Sequence, residues 1–575
     1  MLRSRRVRLA GQEGRSVVEN EGFGFEQRPP PVQAIADQLV AWPSETGTVG
    51  EVTFAEQLRK LLNGIPYFRA RPDQIVLIGS HGTPAAHSVA ALVRGSGRRC
   101  VALSGHYDTV GVSDYGDLAP LARDPELLAA ALIADLEARP RTQAEQLALD
   151  DLTSGTYRPG RGMLDMKSGD AAGIAALHRF SNVPSREGNL LLLITPDEEN
   201  RSRGMRSLRD ALPDLARYWE LDIVAGINLD AVSDLGDGSD GRSIHFGTVG
   251  KLLPFAFVIG RPTHAGYPFD GISAHLIGSE IIRAVEANVD LCDDGYGEQT
   301  PPPICLEAKD MRAGYNVTTP GTMWLAFNWL THSKTPEQVL SLFGNLTQTA
   351  MEAALDRQAE QGRRFHGASD ANPAPVPKGT VLSFAALKER ARSIGGAAAI
   401  ARHQALMSSL EKEENPLVVS RTLIADLAAI AEIQGPAVIV GFGSLYYPHT
   451  HIEAAHAQIM ATMHRAVEEV AARHSTSIRR REFFAGISDM SFFGVRPDPS
   501  EAAFVAANTP SSVLVDVGAP DVLQFPVANI GPWGRDYHQR LERVHSTYAF
   551  EVLPEVLLTT ATALLELKGM GLPES

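Results

Sequence analysis

The stretch LLLLITPDEEN, Leu190–Asn200, is apolar for five residues and then sets Glu198 and Glu199 side by side. A short apolar run bounded by a proline-bearing turn reads as a buried strand of a layered domain. Neighbouring carboxylates repel each other, so such a pair at a strand end is either solvated in a turn or held by something positive nearby. Other runs have the same shape. CVALSGHYD ends in His106 and Asp108, and DIVAGINLD ends in Asp230, while GRGMLDMKSG places Asp165 after a glycine-rich turn and before a helical pattern. In an open α/β sheet, ligands bind beyond the carboxyl ends of the strands. These segments therefore aim His, Asp, Asp, Glu, Glu and Asp at one rim. So many anions in one crevice are costly unless cations hold them. Imidazole with carboxylates suits zinc, manganese or cobalt. An aspartate shared between two ions about 3.5–4 Å apart would make a two-metal hydrolytic site.

The totals agree with an enzyme. A chain of 575 residues exceeds what one core usually supports, so two or three domains are expected. The composition, 44% apolar and 21% charged, is that of an ordinary globular protein. A net charge of −15 argues against nucleic acid as partner and favours a neutral or cationic ligand. Cys100, Cys292 and Cys305 form no CxxC pair, which suggests a reducing compartment. No run of about eighteen apolar residues suggests a membrane span. The arginine-rich start MLRSRRVRL has no apolar signal region, so a cytoplasmic location is expected.

Strands alternate with helical patterns through the first half, the signature of an α/β domain. The polar stretch Ser233–Ser243 then reads as a hinge or linker. A unit of different texture follows, with strand, helix, strand and helix in SIHFGTVGKLLPFAFVIG, SAHLIGSEIIRAVEANV, NVTTPGTMWLAFNWL and TPEQVLSLFGNLTQTAMEAAL. From about Asp356 to Lys378 the chain is polar and proline-bearing and reads as loop. Strand-like runs return at GPAVIVGFGSLYY and FPVANIGPWG. The fold class expected is α/β, a mixed sheet flanked by helices and interrupted by a smaller α+β domain. The expected division is a flexible tail over 1–30, a catalytic domain over 31–240, a lid over 241–370, and the rest of the catalytic domain with an insertion over 371–575.

Taken in order, HYDTV, GRGMLDMKSG, PDEE, INLD and GPWGRDYHQRLERV resemble the dinuclear zinc peptidase family of aminoacylase, carboxypeptidase G, acetylornithine deacetylase and succinyl-diaminopimelate desuccinylase. Longer stretches, among them WPSETGTVGE, TPPPICL and GSLYYPH, resemble its arginine-utilization (RocB) branch. The resemblance implies that His106 and Asp230 hold one metal and Glu199 and His538 the other, with Asp165 bridging. Asp108 would orient His106 from behind, and Glu198 would be the general base. Two divalent ions are implied, zinc first, with manganese or cobalt as alternatives. In the smaller domain, THAGYPFDGISA matches the lid motif whose histidine, here His264, helps stabilise the oxyanion, often across a homodimer. Asn316, in YNVTTPG, matches a substrate-contact position.

The expected activity is hydrolysis of an amide-type C–N bond in a small N-acylated, N-carbamoylated or peptidic amino-acid derivative. The branch implies arginine, ornithine or citrulline breakdown. The competing class is a non-catalytic binding or regulatory protein on the same fold, which would be expected to lose the base or a ligand. One departure concerns the substrate. Leu330 stands where many relatives place an arginine that clamps a carboxylate, so another cation such as Arg261 or Arg535 would supply the clamp, or the substrate lacks that group. The long gap between Asp108 and Asp165 implies an inserted segment, about Tyr115 to Tyr157. His449 and His451 look like metal ligands, but the carboxylate partners are assigned elsewhere.

Overall fold

The apolar run Leu190–Ile194 is buried throughout and forms most of the strand Glu187–Thr195. The structure, a computed structural model, describes residues 31–367, 378–411, 413 and 415–567. The tail expected over 1–30 lies outside the described residues. The described residues divide into two compact units, one within Met1–Thr248, Thr450–Arg496 and Gly518–Ser575, the other within Val249–His449 and Pro497–Val517.

The first unit is built on an eight-stranded mixed sheet. Its order is Ile75–Gly79, His87–Val93, Glu187–Thr195, Ser96–His106, Asp222–Asn228, Val527–Asn529, Ser243–His245, Arg479–Arg481. The strand ending in His106 lies parallel to both neighbours, with His106 opposite Thr195 and Ser104 opposite Asn228. The segments after these strands therefore leave the sheet at one edge. The helices Ser168–Ser181 and Leu553–Glu566 cover it, and Ile174, Leu177, Val556 and Leu557 share a core with Val101, Leu103, Leu190 and Leu192. Each such leucine contributes roughly 2 kcal/mol by leaving water. Gly105 has no room for a side chain, since a Cβ there would lie 2.3 Å from Asp170 Oδ1 on the first of these helices.

The segment expected to be an insertion forms a short 3-10 stretch, Ser113–Leu121, and the helices Pro125–Glu137 and Gln143–Thr153. Asp124 and Thr142 cap the two helices, the latter in a capping box with Glu145. The expected linker Ser233–Ser243 is instead a turn inside the first unit. Asp234 bonds back onto it, accepting N–H groups from Gly236, Asp240 and Gly241 at 2.6–3.2 Å. Residues 548–566 form a helical stretch long and apolar enough to cross a membrane, at mean hydropathy 1.3, although no such run was expected; 67% of it is buried within the protein.

The second unit has a six-stranded sheet in the order Gly250–Leu252, Thr322–Thr331, Pro254–Ile259, Ala437–Phe442, Thr380–Ser383, with Ile304–Asp310 paired to Thr322–Thr331. Here the boundary differs from the expected one, which placed everything after 370 in the catalytic domain. Ala437–Phe442 is buried along its whole length and pairs antiparallel with Pro254–Ile259, so it completes the smaller unit's sheet. The helices Phe384–Ser409 and Pro416–Ile430 pack Leu387, Ile424 and Leu427 onto that sheet's Phe257 and Ile439. Part of the expected loop after Asp356 is also helical, because Pro336–His366 runs through it. All three cysteines are free.

Candidate metal centre

The first unit brings His106, Asp108, Asp165, Glu198, Glu199, Asp230 and His538 together. Asp165 is the middle of the group. Its Oδ1 lies 3.2 Å from His106 Nε2 and its Oδ2 3.2 Å from His538 Nε2. Donor atoms of His106, Asp165 and Asp230 all fall within 4.8 Å of one another, and so do those of Asp165, Glu199 and His538. No third cluster of this kind occurs among the described residues. His106 Nε2 and Asp165 Oδ1 are buried and hydrogen-bond to nothing in the protein. An imidazole nitrogen and a carboxylate oxygen left without other partners in a buried site fit a divalent cation, as does the donor set of imidazole and carboxylate.

The two neighbouring glutamates diverge. Glu199 Oε1 is 2.9 Å from His538 Nε2, whereas Glu198 Oε2 is 3.8 Å from His106 Nε2 and belongs to neither donor cluster. Their turn is held from behind. Asp197, at φ 64°, binds Arg203 through both carboxylate oxygens at 2.6 and 2.8 Å. Asp108, fully buried, accepts the N–H of Glu198 at 3.0 Å, the N–H of Glu199 at 3.2 Å and the Thr46 hydroxyl at 2.8 Å. His106 Nδ1 lies 3.1 Å from the Asp108 carbonyl oxygen and 3.6 Å from its carboxylate. The aspartate thus grips the glutamate turn more closely than it grips the imidazole.

Electrostatics follow from burial. Burial pushes Glu198 well above the usual carboxylate range; nearby His106 opposes this, while Asp230, Asp489 and Glu199 add to it. Asp230 rises to about 7, chiefly through burial and the charge of Asp165. Burial acts the same way on Asp165, yet the imidazoles of His106 and His538, each 3.2 Å from one of its oxygens, hold it below its ordinary value. Burial would lower His538, but Asp165 and Glu199 raise it to about 10. A cluster this acidic takes up either protons or cations.

Sequence reasoning missed several supports. Glu542, inside the same motif as His538, accepts the N–H groups of Leu164 and Asp165 at 3.2 and 3.4 Å and pairs with the buried Arg161 at 2.7 Å. The turn GISDMSFFG, Gly486–Gly494, is by contrast open to a supporting role on its sequence, and its Asp489 is buried, accepts the Thr195 hydroxyl at 2.9 Å and is raised to about 6 by burial. Lys167 is buried, with its ammonium donating to the carbonyls of Leu39 and Trp42 at 2.9 and 3.0 Å. Gly162, at φ 73°, lets the chain turn into Asp165; a Cβ there would lie 2.4 Å from Thr109 Cγ2.

His264 and Asn316 belong to the second unit, on exposed segments joined by a bridge between His264 and Thr318. Arg535 is excluded as a substrate clamp because it is buried, with the residue only 6% exposed. It holds Asp151 at 2.7 and 2.9 Å and also donates to the carbonyls of Asp234 and Gly236. His451 pairs with Glu482 at 2.9 Å. His545 stacks on Trp533 at 4.7 Å, outside both donor clusters.

The sequence profile of Peptidase family M20/M25/M40 matches residues 131–513, two thirds of the chain. The chain belongs to that family. It is a dinuclear metallohydrolase of the M20 kind. The chain is 31% identical to the uncharacterized protein YqjN of Bacillus subtilis, over 93% of this chain and 96% of that protein. It is 30% identical to protein RocB of the same organism, over 93% and 95%. A tripeptidase from Staphylococcus aureus has the same fold, with a TM-score of 0.50 at 15% identity over 93% of this chain and 98% of that one.

Proposed function

We propose that this M20 enzyme hydrolyses an amide-type C–N bond in a small N-acylated, N-carbamoylated or peptidic amino-acid derivative. His106 and Asp230 would hold one divalent ion and Glu199 and His538 the other, with Asp165 shared; zinc suits the donors best. The observation that carries this reading is the Asp165 carboxylate, which turns one oxygen toward each histidine. When bound, the ions would polarise the scissile carbonyl and acidify water.

The remaining chemistry falls to side chains. Glu198 stands beside the donor clusters rather than in them, with a proton affinity raised by burial. That suits it to accept a proton from the attacking water and return it to the leaving nitrogen. Asp108 fixes the turn that aims Glu198. His264 would meet the oxyanion and Asn316 the substrate, both from exposed segments of the second unit. Two copies would pair through the strand Ile304–Asp310, whose strand partner among the described residues is Thr322–Thr331 alone and which exposes Leu306. A net charge of −15 and the likeness to RocB support a substrate with a cationic or urea-bearing side chain. Arg261, exposed near His264, is the remaining clamp candidate for its carboxylate.

The test is amine release by metal-reconstituted protein from N-acetyl, N-succinyl, N-carbamoyl and dipeptide derivatives of arginine, ornithine and citrulline. Turnover of one class that vanishes in Glu198→Ala supports the reading. Silence across the panel from a protein with bound metal refutes the substrate class.

A further inference from the structure

His538 sits in the loop of a hairpin whose strands, Trp533–Arg535 and Arg543–His545, place Arg535 directly opposite Arg543. Like charges facing each other across an antiparallel pair push the strands apart. Both guanidiniums are buried, which sharpens the conflict. A single carboxylate resolves it. Asp151, on the inserted helix Gln143–Thr153, accepts from Arg535 Nη1 at 2.7 and 2.9 Å and from Arg543 Nε and Nη2 at 2.8 and 2.6 Å. Arg543 extends to Asp536, the first residue of the loop, at 2.6 Å. The inserted helix Pro125–Glu137 adds a second tie, Asp135 to Arg540 at 2.8 Å, and Leu541 packs on apolar side chains of the same insertion. Within the loop, Asp536 and His538 have φ 56° and 60°, a region that residues other than glycine rarely adopt. Such a conformation persists only where its surroundings over-determine it.

We infer that the insertion is a brace for the metal centre and that Asp151 is a positioning residue, setting the pose of His538 through Arg535 and Arg543 without touching the centre itself. This rests on the reading of His538 as a metal ligand. On the same reading, the length that separates Asp108 from Asp165 has a use: it supplies the carboxylates that close the hairpin hundreds of residues away.

The test titrates zinc into metal-stripped wild type, Asp151→Asn, Asp151→Asn/Arg535→Gln and His538→Ala against a chromophoric chelator, with thermal melting in parallel. Wild type is expected to take two ions. Asp151→Asn is expected to weaken one of them about tenfold, the scale of outer-shell effects on metal affinity. The double variant should recover most of that loss, because one of the opposed charges is gone; a carboxylate that merely filled space would not be rescued by deleting its partner. Folded Asp151→Asn that binds both ions like wild type overturns the proposal, and so does a double variant no better than the single. His538→Ala separates the two levels. If it keeps both ions, the reading of the centre has failed and the brace falls with it; if it loses one while Asp151→Asn loses none, only the brace has failed. Should Asp151→Asn not fold, Arg540→Ala, which cuts the half-exposed second tie, carries the test. It should weaken the same ion about threefold, and unchanged affinity overturns the proposal.

Discussion

Replacing Asp108 with asparagine separates two accounts of what this residue does. If its task were only to orient His106, the loss would fall on the ion shared by His106 and Asp230. The geometry says otherwise, since the carboxylate is 3.6 Å from the imidazole but accepts the backbone N–H groups of Glu198 and Glu199 at 3.0 and 3.2 Å. An amide keeps one acceptor oxygen and turns its NH2 toward the other site, so one charge-assisted bond is lost and one donor then faces another. Hydrogen bonds to a charged group are worth about 1.5–3 kcal/mol. That corresponds to a fall of about 10- to 150-fold in kcat/KM if the cost appears in the transition state. Both ions should weaken, because the turn carries the base and a ligand of the second ion. Chelator competition for each ion, steady-state kinetics and a melting curve, run on the same preparation, would measure this. A change of less than about threefold in a folded variant, or weakening confined to the His106 ion, would refute the reasoning.

Other outcomes follow from the same kind of reading. Thr46→Val removes the hydroxyl bond to Asp108, with a longer one to the Thr109 carbonyl, and should cost about fivefold in kcat/KM with little change in melting. His245 is buried and depressed to about 3 by burial and by Arg481. A base whose folded pKa is lowered adds stability above its ordinary value of about 6.5 and loses it as pH falls toward 3. His245→Gln should therefore flatten that acid limb in urea titrations at a series of pH values. Asp293, in the second unit, is buried, but Lys334 and the N–H groups of Ser333, Lys334 and His332 hold it below the usual carboxylate range. Asp293→Ala should destabilise that unit by about 3–5 kcal/mol, measured by denaturant unfolding; in the wild type this contribution is present above about pH 4 and fades below it. Gly162→Ala combines a left-handed backbone with a Cβ 2.4 Å from Thr109 and should cost about 2–3 kcal/mol together with metal affinity.

The centre was legible in the sequence because its residues sit where apolar strands stop. Leu190–Ile194 announces a buried strand, and whatever follows it must lie at the sheet's edge, which is how Glu198, Glu199, His106 and Asp230 could be placed on one rim. What braces the centre was not legible. Asp151 and Arg543 are separated by 392 positions, and a charged residue on an inserted helix looks like solvated surface until its partner is seen. The same limit explains the unit boundary. GPAVIVGF reads as a buried strand, but nothing in its pattern says that it pairs with Pro254–Ile259 rather than with the larger sheet. The division of labour at Asp108 was missed for a related reason: its strongest partners are backbone N–H groups, and these leave no mark in side-chain identity.

The central claim is that Asp165 joins two ions. Its most direct test is anomalous diffraction at the zinc edge from crystals of the metal-reconstituted protein. Two peaks are expected about 3.5–4 Å apart, one against His106 and Asp230, the other against Glu199 and His538, each in contact with a different oxygen of Asp165. A single peak, or two peaks of which one lies away from Asp165, would contradict it.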